Sequence, residues 1–142
     1  MQEIIQQILK GHSYELKSNT RLQIVANPSS DEPSFSLPLI IQVSNNILTV
    51  AQYTVGEWDI NYDPYIEWDL DCKELILYYQ WHSGLLYSRT ANDSKSRTAN
   101  DSKIEEKKAL LRVANFTNEL LERNYHLAEY AQVVHLDQQA KL

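Results

Sequence analysis

Tyr65-Ile66-Glu67-Trp68-Asp69-Leu70 alternates without a break. Ile66, Trp68 and Leu70 fall on one side. Glu67 and Asp69 fall on the other, with Asp71 continuing their row. A period of two is the mark of a strand with one dry and one wet face, as antiparallel sheets have. Asp71-Cys72-Lys73-Glu74 turns the chain into a second run, Leu75-Ile-Leu-Tyr-Tyr79, and Gly84 allows a bend before Leu85-Leu-Tyr87. Upstream, Gly56 to Pro64 reads as a connection. Before it, Leu39–Val43 and Ile47–Tyr53 flank Ser44-Asn45-Asn46, and asparagine tolerates the positive φ of a tight hairpin. Arg21–Ala26 alternates briefly as a first strand. Residues 27–38 hold Pro28, Pro33 and Pro38 among serines and acids, a loop composition. Five or six strands joined by short connections predict an antiparallel meander.

Helical spacing frames this sheet at both ends. Ile4, Ile5, Ile8 and Leu9 share one helix face, and Gly11 suits a left-handed stop behind it. Ser102-Lys-Ile-Glu105 has capping-box form. Leu110, Leu111, Val113, Ala114, Leu120 and Leu121 follow at helical spacing, with Phe116 bordering the stripe. Asn124 interrupts the pattern, and Leu127, Tyr130, Ala131 and Val134 read as a weaker second helical face. The expected fold is α+β: one meander sheet with an N-terminal helix and one or two C-terminal helices on one face.

Ser88-Arg-Thr-Ala-Asn-Asp-Ser-Lys95 recurs letter for letter as Ser96 to Lys103. The octad has no large apolar residue, so neither copy can stack as a solenoid repeat does. Residues 88–103 are therefore expected to form an exposed loop within a single domain spanning 1–142. Lengthening such a loop costs only about 0.6 kcal/mol per doubling.

Composition narrows the classes of function. The 142 residues carry a net charge of −6 and 43% apolar residues, which predicts a folded chain. An acidic chain lacks attraction for the phosphates of nucleic acid and for anionic membranes. No basic-then-apolar leader opens the sequence, so the expected compartment is the cytoplasm. Cys72 is the single cysteine, which rules out an intrachain disulfide or a cysteine zinc site. Three glycines cannot write a phosphate-binding loop. His12, His82, His126 and His135 form no His-x-x-x-His pair, and on a continuous helix His126 and His135 would face apart.

Acids gather with aromatics in the middle of the chain: Glu57, Asp59, Asp63, Glu67, Asp69, Asp71 and Glu74 alongside Tyr53, Trp58, Tyr62, Tyr65, Trp68, Tyr78, Tyr79, Trp81 and Tyr87. Lys73 is the only base nearby in sequence. Like charges two residues apart repel, which predicts raised carboxylate pKa values. The acids read as a patch for a basic protein surface, as ligands for a hard cation, or as a solvated face that discourages edge pairing. The aromatics read as interface anchors or as ordinary core.

Asp63-Pro64-Tyr-Ile66, the alternating strand to Asp71, and Leu77-Tyr-Tyr-Gln80 resemble small bacterial YqiB-like proteins. There an acid-Pro-x-Met start leads into two strands ending near Tyr-Gln, with a C-terminal apolar helix after them. Ile66 stands where that pattern has Met. The resemblance implies an α+β fold and brings no catalytic residues or cofactor.

The leading expectation is a non-enzymatic protein that binds another protein with a basic surface. The expected contact residues are Trp58, Asp59, Asp63, Tyr65, Glu67, Asp69, Asp71 and Trp81, without catalytic residues, metal or cofactor. One version is an inhibitor, encoded by a phage or mobile element, that occupies a basic groove. The alternative is a metal-dependent hydrolase or nuclease built on Asp63, Glu67 or Asp69 with His82. A homodimer through the sheet face or edge is a third.

Overall fold

Asn45 and Asn46 sit at φ 53° and 60°, the two positive values that let a two-residue hairpin follow strand twist. The computed structural model in which they lie describes residues 1–27, 37–81, 83–89 and 99–136. Helix α1 (Gln2–Gly11) precedes β1 (Arg21–Ala26), β2 (Leu39–Ser44), β3 (Ile47–Val55), β4 (Ile60–Asp69), β5 (Glu74–Gln80) and β6 (Gly84–Ser88). Helix α2 (Ala99–Glu122) and β7 (Ala131–His135) complete the order. The seven strands form one sheet, β6-β5-β4-β3-β2-β1-β7, and every neighbouring pair is antiparallel.

The alternating residues point as their spacing requires, except in β5, where a register shift opposite Glu67 and Trp68 puts Leu75 and Tyr78, three residues apart, on one face. Leu22 and Ile24, Leu39 and Ile41, Leu48 and Val50, Ile66, Leu75, Tyr78 and Tyr87 join one buried cluster with Ile5, Ile8 and Leu9 of α1 and Ala109, Val113, Phe116 and Leu120 of α2. Both helices therefore cover the same face of the sheet. Among the described residues no helix lies on the other.

The seventh strand corrects the expected second C-terminal helix. Helix α2 ends in a paired closure: Asn124 at φ 65° donates its N–H to the Leu121 carbonyl, and the Tyr125 N–H reaches Leu120. That is a Schellman stop, with Tyr125 and Leu120 in apolar contact behind it. After the turn at 126–130, the five residues Ala131–His135 include the β-branched pair Val133-Val134, which suits a pleated surface. They pair along β1 from Leu22↔His135 to Ala26↔Ala131, giving β1 the partner its outer backbone lacked. At 24 residues, α2 is about 36 Å long. That is enough to carry the chain across roughly six strand spacings of 4.8 Å.

Three smaller expectations also change. Helix α2 begins at Ala99, inside the second octad, so Ser102 lies within the helix and does not cap it. Similarly β6 takes in Ser88 of the first octad, and residues 90–98 lie outside the described residues. The buried stripe is Ala109, Val113, Phe116, Thr117 and Leu120, whereas Leu111 is 63% exposed, as the angular step of 100° per residue from Ala109 requires. At the end of α1 the left-handed residue is Ser13 at φ 63°, not Gly11. Glycine is needed at 11 for space, because a Cβ there would stand 2.0 Å from the His126 carbonyl oxygen.

Candidate functional site

Pairing of β4 with β5 starts at Tyr65↔Tyr79, although β4 itself starts at Ile60. On its other side, β3 pairs with β2 only as far as Gln52. Among the described residues the chain between therefore continues as a two-stranded arm, paired Tyr53↔Tyr62, Thr54↔Asn61 and Val55↔Ile60, reaching roughly 17 Å past the β5 register. Gly56 closes the arm by donating its N–H to the Asp59 carbonyl at 2.8 Å, leaving Glu57 and Trp58 at the tip. Gly56 to Pro64, read as a connection from sequence, is thus mostly hairpin.

The tip is apolar and acidic together. Trp58 is 92% exposed, Val55 77% and Ile60 51%, and Glu57 and Asp59 flank the tryptophan with their side chains in solvent. A lone two-stranded ribbon is marginal in water, so the arm depends on its root. There Tyr53 and Tyr62 meet edge to face at 6.3 Å, and Tyr62 and Tyr65 at 5.6 Å. The Tyr53 hydroxyl donates to Gln23 Oε1. A register shift sets two residues of β4, Asp63 and Pro64, against Gln52 alone, and Gln52 turns inward in step with Leu48 and Val50. Its amide, 4% exposed, donates to the Tyr125 hydroxyl at 2.6 Å, and that hydroxyl donates to the Leu37 carbonyl at 2.7 Å.

The expected row of acids is divided by the fold. Tyr65 and Glu67 share the helix-free face, where the phenol donates to the Glu67 carboxylate at 3.2 Å. Burial, and then the Glu67 charge, push the Tyr65 phenol up. Asp69 belongs to the β4–β5 turn at the far end of the sheet. Its Oδ1 accepts the Asp71 N–H at 2.9 Å and the Cys72 N–H at 3.3 Å. Its Oδ2 takes Arg89 Nη1 at 3.1 Å. Asp71 accepts from Asn46 Nδ2 at 3.3 Å, and Glu74 lies 3.7 Å from the same guanidinium. Lys73 is therefore not the only base here: Arg89 arrives from β6.

The expected rise in carboxylate pKa fails at Asp69 for that reason. The Cys72 thiol, the Arg89 guanidinium and the turn N–H groups hold its carboxyl down at about 2. Asp69 in turn pushes the Cys72 thiol up, which works against a thiolate nucleophile.

Asp63 lies on the opposite face from Glu67. It lines a cleft of about 340 Å³ under α2 with Tyr78, Gln80, Arg112 and Glu119. Arg112 donates to Gln80 Oε1 at 2.5 Å, and burial pushes the Tyr78 phenol up to about 12. Asp63, Glu67 and Asp69 thus do not converge, and His82 lies outside the described residues. Among the described residues no three His, Cys, Asp or Glu side chains are placed to share a metal ion. No helix among them is long and apolar enough to cross a membrane.

Of the eight expected contact residues, the arm gathers only Trp58 and Asp59 at its tip. Tyr65 and Glu67 lie at and beyond its root, Trp81 follows β5 at 48% exposure, Asp63 turns inward, and Asp69 and Asp71 lie at the other end. Val55 and Ile60 were missed. Their signal was present, since Tyr53-Thr-Val55 and Ile60-Asn-Tyr62 continue the β-prone alternation on both sides of Gly56-Glu-Trp-Asp59. Comparison with protein-family models, curated proteins and solved structures finds no match to this chain.

Proposed function

We propose that this chain is a cytoplasmic, non-enzymatic regulator or inhibitor that binds another protein through the β3–β4 arm. Its partner presents a basic surface with an apolar pocket. The observation that carries this reading is the tip itself. Exposing an indole to 92% with Val55 and Ile60 beside it leaves apolar area in water that burial would stabilise by about 25 cal/mol per Å². Tryptophan is among the residues enriched at interface hot spots. Glu57 and Asp59 supply the charge that steers a basic partner into register, within a chain whose net charge is already −6. Tyr65 and Glu67 on the helix-free face and Trp81 past β5 extend the contact from the root of the arm.

A photo-crosslinking residue in place of Thr54, exposed on the arm beside the anchor, tests this reading, against the same probe at Leu111 on α2. The arm probe should give one discrete adduct in host extract, weakened by salt and by Glu57→Lys with Asp59→Lys. Equal labelling from both positions, or an adduct indifferent to charge reversal, would dismiss the arm as the contact.

A further inference from the structure

Arg112, Phe116, Glu119 and Arg123 recur at steps of four, three and four along α2, so they share one face of the helix. That face stands over the cleft of about 340 Å³ that Asp63 of β4 and Tyr78 and Gln80 of β5 also line. We propose that this cleft binds a free α-amino acid, with Asp63 taking its ammonium group and Arg112 and Tyr78 its carboxylate. Four charges line the cleft, and two of them cancel. Glu119 and Arg123 stand 3.8 Å apart as an i,i+4 pair, so each neutralises the other. Asp63 and Arg112 remain. They face the same space without forming an ion pair, and Asp63 makes no hydrogen bond among the described residues. Arg112 donates to Gln80 Oε1, a neutral amide that leaves the guanidinium charge and its other N–H groups unspent. A bare anion drawn to Arg112 would be repelled by Asp63, and a bare cation would meet the reverse. A ligand whose two charges are joined through one carbon answers both poles at once.

Tyr78 senses both poles. It is 2% exposed, lines the cleft, and its hydroxyl has no hydrogen-bond partner among the described residues. A buried phenol is seldom left so without a ligand or water to meet it. Burial pushes it up to about 12, while Arg112 acts to lower it and Asp63 and Glu119 to raise it. The phenol therefore keeps its proton at neutral pH and can donate it, together with the Arg112 N–H groups, to a ligand carboxylate. Pro64 and Phe116 are buried beside these groups and give the ligand an apolar wall. A volume of about 340 Å³ lies at the lower end of the range for small-molecule sites, which suits a molecule of amino-acid size.

Titration of the full chain with the common L-amino acids, one at a time, tests this, read by the NMR signals of the Tyr78 ring and the Gln80 side-chain amide. At least one amino acid should give saturable shifts confined to this cleft, in the millimolar range or tighter. Its N-acetyl derivative lacks the cation and its methyl ester lacks the anion, and each should bind about tenfold more weakly. In Asp63→Asn the penalty for N-acetylation should vanish while the penalty for the ester stays. In Arg112→Gln the reverse should hold. Absence of saturable shifts with every amino acid, binding indifferent to either modification, or penalties unchanged in both variants would overturn the proposal. The two derivatives decide it on the wild-type chain alone if a variant folds poorly.

Discussion

Two acidic segments lie at opposite ends of this sheet, and their chemistry differs completely. In the β4–β5 turn, Asp69 is bonded to two backbone N–H groups and to Arg89, Asp71 is bonded to Asn46, and Glu74 approaches the same guanidinium. Each of these carboxylates has a partner within the molecule, and the turn is built from those bonds. At the arm tip, Glu57 and Asp59 are exposed beside a tryptophan that is 92% exposed. Acidity alone does not mark a recognition surface. What marks one is acid that the fold has not used, next to apolar area that the fold has not buried.

The largest expected effect lies at the tip. Trp58→Ala should weaken partner binding by about 2–4 kcal/mol, the range of a central aromatic anchor, and leave the melting temperature unchanged because the side chain touches no core. Calorimetry with the crosslinked partner and a thermal melt check both halves. A stability loss without a binding loss would show the tryptophan to be structural and would erase the distinction between the two ends. Next in size is the root of the arm. Tyr125→Phe leaves the buried Gln52 amide and the Leu37 carbonyl without the hydroxyl that joins them, at a cost of about 1–3 kcal/mol. Denaturant unfolding should show that loss, and amide exchange should rise from Tyr53 to Tyr62 more than in the β4–β5 turn.

Much of this architecture was legible because local physics decides it. The Asn45-Asn46 turn, the faces of β4 and the six-strand meander all follow from alternation and turn chemistry within a few residues. The seventh strand was not, because Ala131-Gln-Val-Val-His135 has spacing that fits either period, and only the free edge of β1 selects the strand. The division of the acids was hidden for the same kind of reason. Arg89 is 20 residues from Asp69, so no window around Glu67 contains the base that neutralises the turn. The inward turn of Asp63 depends on the register shift at Gln52, where strict alternation stops. The arm was half visible: its aromatics and acids stood out, but its projection depends on where β2 and β5 stop pairing.

The turn makes its own prediction in acid. The folded pKa of Asp69 is depressed from 3.8 to about 2, so its bonds stabilise the fold fully above 3.8, and that contribution disappears as pH falls through 2. Asp69→Asn should therefore melt below wild type at neutral pH, with the gap closing as pH falls across this window. Asp59→Asn at the tip, whose side chain makes no such bonds, should leave the melting temperature unchanged throughout. A constant gap for Asp69→Asn would mean that packing of the turn, not its charge, sets the difference.

The smallest effect expected is from deleting one octad. Because the copies are identical, removing either leaves Tyr87-Ser-Arg-Thr-Ala-Asn-Asp-Ser-Lys-Ile, which still places a serine and an arginine directly after Tyr87. The arginine can therefore still reach Asp69. The single remaining octad must then end β6 and begin α2 at once, so the first turn of the helix has to open. The helix buries nothing before Ala109 among its described side chains, and shortening the connection changes closure entropy by only about 0.6 kcal/mol per halving. The melting temperature should fall by no more than a few degrees, and the difference between Asp69→Asn and its parent should persist in the shortened chain. If that difference vanishes, the second copy is what lets Arg89 hold the turn, and the duplication bears directly on how the acidic end is neutralised.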